Sequence, residues 1–237
     1  MKYPGLINIA KRFVIASSMG VLITSLAAPA LSGAPPARTS VPAAGRNSAN
    51  PAAQKRVITV SLLNDQNAPV PKELIYKIFT DAAAEYEEMV NIELKAVEYV
   101  PYSGDLTLHP MDQAFLLSRL STRGEIRIIF SNRTGRNQSD SIADREAKDH
   151  LAGASHPYYG HIIIYNVEGR AHKRDRAGNP ALLTVIKHEI AHLFGAAHTK
   201  DANSFMSTPS SQSFGRWTEE VIRHINGQKR KKWFPNC

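Results

Sequence analysis

Cysteine occurs once in the 237 residues, at Cys237. A single thiol closes no intrachain disulfide and builds no cysteine-based zinc or iron–sulfur centre, so stability beyond the core has to come from packing or from metal held by other donors. Acidic residues are missing from both ends: none precedes Asp65 and none follows Glu220. The formal charge of +8 therefore belongs to the termini, because 29 Lys and Arg less the 11 at positions 2–56 and 229–232 leaves 18 against all 21 acids. The body of the chain is nearly neutral, and the basic tetrad Lys229-Arg230-Lys231-Lys232 reads as a solvated tail, so nucleic acid is not an expected partner. With 14 Gly, 14 Pro and 43% hydrophobic residues, the composition excludes collagenous, wholly disordered and polytopic membrane chains and fits one globular domain with tails.

Lys2, Lys11 and Arg12 precede an apolar stretch from Phe13 to Leu31 that closes in small residues, the pattern of an export signal. Ala28-Pro29-Ala30 and Ser32-Gly33-Ala34 both satisfy the small-x-small cleavage rule, and Pro35 favours the first; an uncleaved anchor is the alternative. Residues 35–55 hold only Val41 as a branched aliphatic, too little apolar surface to offset chain entropy. The reading is a signal peptide over 1–30, a disordered Ala/Pro/Ser-rich linker over 31–55 and a folded domain over 56–237. Export implies a secreted protein, extracellular or periplasmic and of bacterial type, with no stable membrane association after signal cleavage.

Within the domain the hydrophobic periods alternate. Val57–Leu63 is β-branched and predicts a strand, and Pro71–Val90 places Leu74, Ile75, Ile78, Phe79, Ala82, Ala83, Tyr86 and Val90 at helical spacing. Strands are predicted at Ile92–Val100, Glu125–Phe130 and His161–Tyr165, with a helix at Met111–Leu120 and a polar loop over Ser131–Asp149. This order argues for a mixed α/β fold, a sheet covered by helices on one face.

Asn179-Pro180 predicts the next helix start, with Asn179 as cap and proline at the first helical position. Leu182, Leu183, Val185 and Ile186 give it a buried face, and His188-Glu189-Ile190-Ala191-His192 follows. Residues four apart stack on one helix face, so both imidazoles can reach one ion, while Glu189 stands beside them. Gly195 can end the helix in the left-handed conformation, and the turned chain can return His198 as a third ligand. HExxHxxGxxH is far more specific than its first five positions; the bland alternative is a buried helix with incidental histidines.

These residues resemble the metzincin metalloproteases, whose long zinc motif they match at every defining position. Met206 stands eight residues after His198, a separation similar to the matrixin branch, as a Met-turn beneath the metal. The resemblance implies a metzincin-like domain, a twisted mixed sheet with a zinc-binding active-site helix and a C-terminal helix. It implies one catalytic Zn2+ held by His188, His192 and His198, a zinc-bound water activated by Glu189, and an apolar floor at Met206. It also implies a substrate edge strand at His161, Ile162, Ile163 and Ile164, with Trp217, Val221 and Ile222 packed behind the site. Departures are present: no tyrosine follows Pro209, position 208 is threonine where other branches place a tyrosine ligand, and the cysteines of archaemetzincins and of the matrixin latency switch are absent.

The expected function is a secreted zinc endopeptidase acting on protein or peptide substrates as a monomer. The alternative is a secreted zinc- or peptide-binding module on the same scaffold without turnover; a basic adhesion or nucleic-acid-binding protein rests only on the charged ends. Additional structural ions stay open, a second Zn2+ at His150, His156 and His161 or a Ca2+ in the loop Asn132–Asp144. His109, His172 and His224 read as surface residues, and Arg170, Lys173, Arg174 and Arg176 as a solvated loop or a basic substrate rim.

Overall fold

The structure is a computed structural model that describes residues 54–106, 117, 119–134, 152–207 and 215–233. The export signal, nearly all of the linker, most of the helix predicted at Met111–Leu120, most of the polar loop, His109, His150 and Pro209 lie outside the described residues.

A five-stranded sheet runs in the order β2-β1-β3-β5-β4, built from β1 (Arg56–Asp65), β2 (Ile92–Tyr102), β3 (Ile126–Phe130), β4 (Gly153–His156) and β5 (His161–Ile164). The first four in that order are parallel and β4 is antiparallel to β5, so the fold is mixed α/β, as expected. Parallel strands are covered on both faces and read as near-continuous apolar runs. The sequences of β3 (IRIIF) and β5 (HIII) fit that description, and every residue in them is buried.

Helix α1 (Lys72–Val90) buries the predicted stripe Ile75, Ile78, Phe79, Ala82, Tyr86 and Val90. It stops at Asn91, whose φ of 53° is left-handed, a conformation asparagine tolerates better than most residues. A short helix α2 (Val167–Ala171) leads into α3 (Ala181–Leu193). Helices α1 and α3 cover one face of the sheet through Ile58, Val60, Leu62, Ile128, Ile162 and Ile164. This is the helix-covered face that was expected. The opposite face carries a second core, in which Leu63, Ile129, Ile163 and Tyr165 pack with Tyr102, Leu106 and Leu117.

Three expectations are corrected. Strand β5 pairs with β3 on one side and β4 on the other, so His161, Ile162, Ile163 and Ile164 form an interior strand, and among the described residues the free edge beside them belongs to Gly153–His156. That four-residue edge escaped prediction because GASH contains no β-branched or aromatic residue. Asn179 does not cap α3; Pro180 occupies the cap position, and the Asn179 side chain bonds Asp175 Oδ2 at 3.2 Å. The basic C-terminal segment is not simply solvated, since Lys229 and Trp233 are buried. Helix α4 (Glu219–Gly227) precedes it, with Thr218 at its cap position and Val221 and Ile225 buried. Among the described residues, no helix is long and apolar enough to cross a membrane.

Candidate metal centre

Helix α3 is the most deeply buried helix among the described residues, and most of its polar residues are sealed in with its apolar ones: Thr184, Lys187, His188 and Glu189 are all buried. Burying so many polar groups is costly unless each finds a partner. Thr184 Oγ1 donates to Asp175 Oδ2 at 3.0 Å, and Lys187 Nζ donates to Glu85 Oε2 at 2.8 Å and to the Gly215 carbonyl at 2.9 Å.

The helix ends at Leu193, and Gly195 follows at φ 85°. This left-handed glycine reverses the chain, as expected from the sequence, and has two consequences. The Ala196 carbonyl comes back to accept from His192 Nδ1 at 2.7 Å, and His198 is delivered to the pair of helical histidines. His188 Nδ1 donates to the Phe205 carbonyl at 2.9 Å. That carbonyl belongs to the turn Ser204–Ser207, which is closed by Ser207 N to Ser204 O at 3.0 Å and tied to the returning chain by Thr199 N to Met206 O at 3.1 Å. Met206 is fully buried there, and the ring of Phe205 in the same turn meets Trp217 edge-on at 4.9 Å.

With Nδ1 of His188 and His192 donating, the lone pair of each neutral ring sits on Nε2. The three Nε2 atoms of His188, His192 and His198 form a triangle with sides of 3.0, 3.0 and 3.1 Å. They are the one cluster of potential metal donors of this kind among the described residues. A tetrahedral zinc with Zn–N of about 2.05 Å sets its nitrogens roughly 3.3 Å apart. The lone pairs of His188 and His192 converge at this spacing on His198 Nε2, and three such nitrogens fit a cation between them. Burial pushes His188 down to about 4 and also lowers His192, which favours the neutral, metal-binding form of both rings.

The Glu189 side chain lies against β4, beside Gly153. It is 6% exposed, and burial pushes its carboxyl up to about 7, against the opposing pull of a hydrogen bond from Ser155. A carboxyl balanced near neutrality is suited to accept and return a proton. Sequence reasoning reached Glu189 and the histidines; the structure brings the three histidines together and sets Glu189 against β4. Sequence reasoning missed Ser155 and Gly153, which carry no motif.

His156 and His161 are cross-strand partners at the far end of β4 and β5, with Tyr159 stacked on His161 at 6.0 Å and an interplanar angle of 6°. Within the basic group before α3 the chain folds into a turn in which Asp175 Oδ1 accepts from Ala177 N and Asn179 N, both at 2.9 Å.

No protein-family model matches the chain, and no curated protein matches it. Among solved structures it is similar to the archaemetzincin of Methanopyrus kandleri, at 11% identity and a TM-score of 0.55 over 73% of this chain and 96% of that one. A zinc-dependent peptidase of Methanocorpusculum labreanum matches at 12% identity and a TM-score of 0.45, over 70% of this chain and 99% of that one. Metalloproteinase-II of Bacteroides fragilis matches at 10% identity and a TM-score of 0.48, over 74% of this chain and 55% of that one. At such low identity the archaemetzincin likeness establishes a shared fold, and the two weaker matches add nothing to it.

Proposed function

We propose that the chain is a zinc-dependent peptidase of metzincin type, matrixin-like in its histidine spacing and Met-turn, exported from the cell and cutting within polypeptides. The observation that carries this reading is the triangle of Nε2 atoms, with the rings of His188 and His192 locked from behind by backbone carbonyls. The resemblance in fold to an archaemetzincin supports it. His188, His192 and His198 would hold the ion; when bound, zinc supplies Lewis-acid chemistry that lowers the pKa of water and polarises a carbonyl.

The protein's own groups do the rest. Glu189 takes the proton of the attacking water on a carboxylate oxygen and passes it to the departing amine nitrogen. Its burial keeps bulk water from competing for that proton. A peptide binds as an added strand along the open edge of β4, where backbone pairing positions it without demanding a sequence. The Phe205 carbonyl and the Ala196 carbonyl hold two imidazoles in the tautomer that presents Nε2 inward, and Met206 closes the space beneath them with a side chain that neither binds nor transfers protons.

Elemental analysis of the purified chain, run beside cleavage of a diverse peptide library, tests this reading. Near-stoichiometric zinc with internal cleavage is expected. Bound zinc without any cleavage would leave a binding module in its place.

A further inference from the structure

Gly153 and Ser155 lie two residues apart on β4, so their side-chain positions share one face of the strand. That face meets Glu189. A Cβ at Gly153 would stand 2.6 Å from Glu189 Cγ, 2.8 Å from Oε1 and 2.9 Å from Cδ, closer than real side chains approach. The Gly153 backbone is not in the left-handed region, so its conformation alone does not call for glycine; the Glu189 side chain does. Two residues on, the Ser155 hydroxyl donates a hydrogen bond to the Glu189 carboxylate. Ala154 between them faces the opposite core.

The backbone of the same two residues faces outward. Tyr165 N donates to the Ala152 carbonyl at 3.0 Å, which fixes the phase of the antiparallel ladder. N–H and C=O of alternate residues then point alternately across the ladder and away from it. Those of Ala154 and His156 turn toward β5, and those of Gly153 and Ser155 turn toward the open edge.

We infer that Gly153 and Ser155 are positioning residues that clamp the Glu189 carboxylate from the edge strand, so that the segment on which a peptide pairs is the segment that aims the acid–base group. The inference rests on the peptidase reading. Glycine supplies the space for the carboxylate, and the serine fixes one of its acceptor sites. The remaining acceptor sites are left for the proton of the attacking water.

Two measurements on the full chain test it. Thermal unfolding in EDTA reads the contact without turnover. Gly153→Ala is expected to lower Tm by roughly 4 °C or more in the wild-type background and by less than about half of that in a Glu189→Ala background, where the colliding side chain is gone. Equal losses in both backgrounds overturn the clamp. Hydrolysis of a fluorogenic peptide that the wild-type chain cleaves reads the positioning. Ser155→Ala should lower kcat roughly tenfold or more with KM within about twofold and zinc content unchanged, and Ser155→Thr, which keeps the hydroxyl, should recover most of it. A raised KM at unchanged kcat, or threonine no better than alanine, overturns the role. If the wild-type chain cleaves nothing, the peptidase reading falls and the positioning role falls with it. If it cleaves and the stability losses are equal, the clamp alone falls.

Discussion

Glu189 sits one residue past the first histidine of the triangle, on a flank of α3 that no other acid shares. Glu189→Ala is expected to keep zinc near one per chain while peptide hydrolysis drops by at least ~10²-fold; elemental analysis and a cleavage assay on one preparation check both parts, and loss of the metal would turn the glutamate into a ligand. A second residue-scale expectation concerns Lys187, immediately before the site. Its ammonium is 2% exposed and paired with Glu85 at 2.8 Å, itself 30% exposed. Glu85 Oε2 also accepts from Trp217 Nε1 at 2.8 Å, and the ammonium lies 5.6 Å from the Phe205 ring centroid. Glu85→Ala removes the partner and leaves the buried cation behind, at a cost on the order of 2–3 kcal/mol, less than for a fully buried pair because Glu85 reaches water. Lys187→Met fills the same space without a charge and should cost less. Chemical denaturation of the two variants gives the order. The motif histidines were legible in the sequence because their spacing encodes helix geometry, whereas Glu85 lies 102 residues from Lys187 and no local pattern joins them.

At the scale of elements, the site is where a helix, a glycine turn and a tight turn meet. His198 ties the segment after Gly195 back to α3 only if an ion is present to receive its Nε2. His198→Ala and the wild-type chain should therefore unfold at similar temperatures in EDTA, while added zinc should raise Tm of the wild type and leave the variant nearly unmoved, because ligand binding stabilises by mass action. Differential scanning fluorimetry across a zinc titration shows this, and an equal shift in both proteins would remove His198 from the ligand set. Helices α1 and α3 were readable from their apolar periods. The edge strand β4 was not, because Gly153-Ala154-Ser155-His156 becomes a strand only by pairing with β5. Its glycine, a weak strand former, is kept at that position by the side chain of Glu189.

At the scale of the whole molecule, the C-terminal segment closes the domain. Trp233 is 1% exposed. Its ring meets Phe194 edge-on at 5.6 Å, its Nε1 donates to the Leu193 carbonyl at 3.3 Å, and the Arg56 guanidinium lies 5.1 Å from its centroid. Arg56 in turn donates to the Lys229 carbonyl and pairs with Glu125 at 3.1 Å, so the start of β1 and the segment 229–233 are fastened together beside the end of the histidine helix. Trp233→Ala should destabilise the protein by about 3–5 kcal/mol. Calorimetry or urea unfolding measures it, and a change under about 1 kcal/mol would return the segment to the status of a tail. The basic charge just before β1 is partly neutralised on site: Lys55 pairs with Glu87 at 2.7 Å and Glu93 at 2.9 Å.

The sequence by itself determined the alternation of strands and helices, the histidine triad and the glycine that turns the chain beneath it. Each of these depends on interactions within a few residues: the periods of helix and strand, the i to i+4 stacking of imidazoles, the freedom of glycine at positive φ. Only the tertiary structure decided that β5 is an interior strand and β4 the open edge, that the second face of the sheet is covered, that Lys187 answers to Glu85, and that a residue as plain as Gly153 makes room for Glu189. Those arrangements depend on strand order and on contacts between residues far apart in the chain. Local patterning leaves such contacts undetermined, and they are fixed when burial of the two faces of the sheet selects a single register.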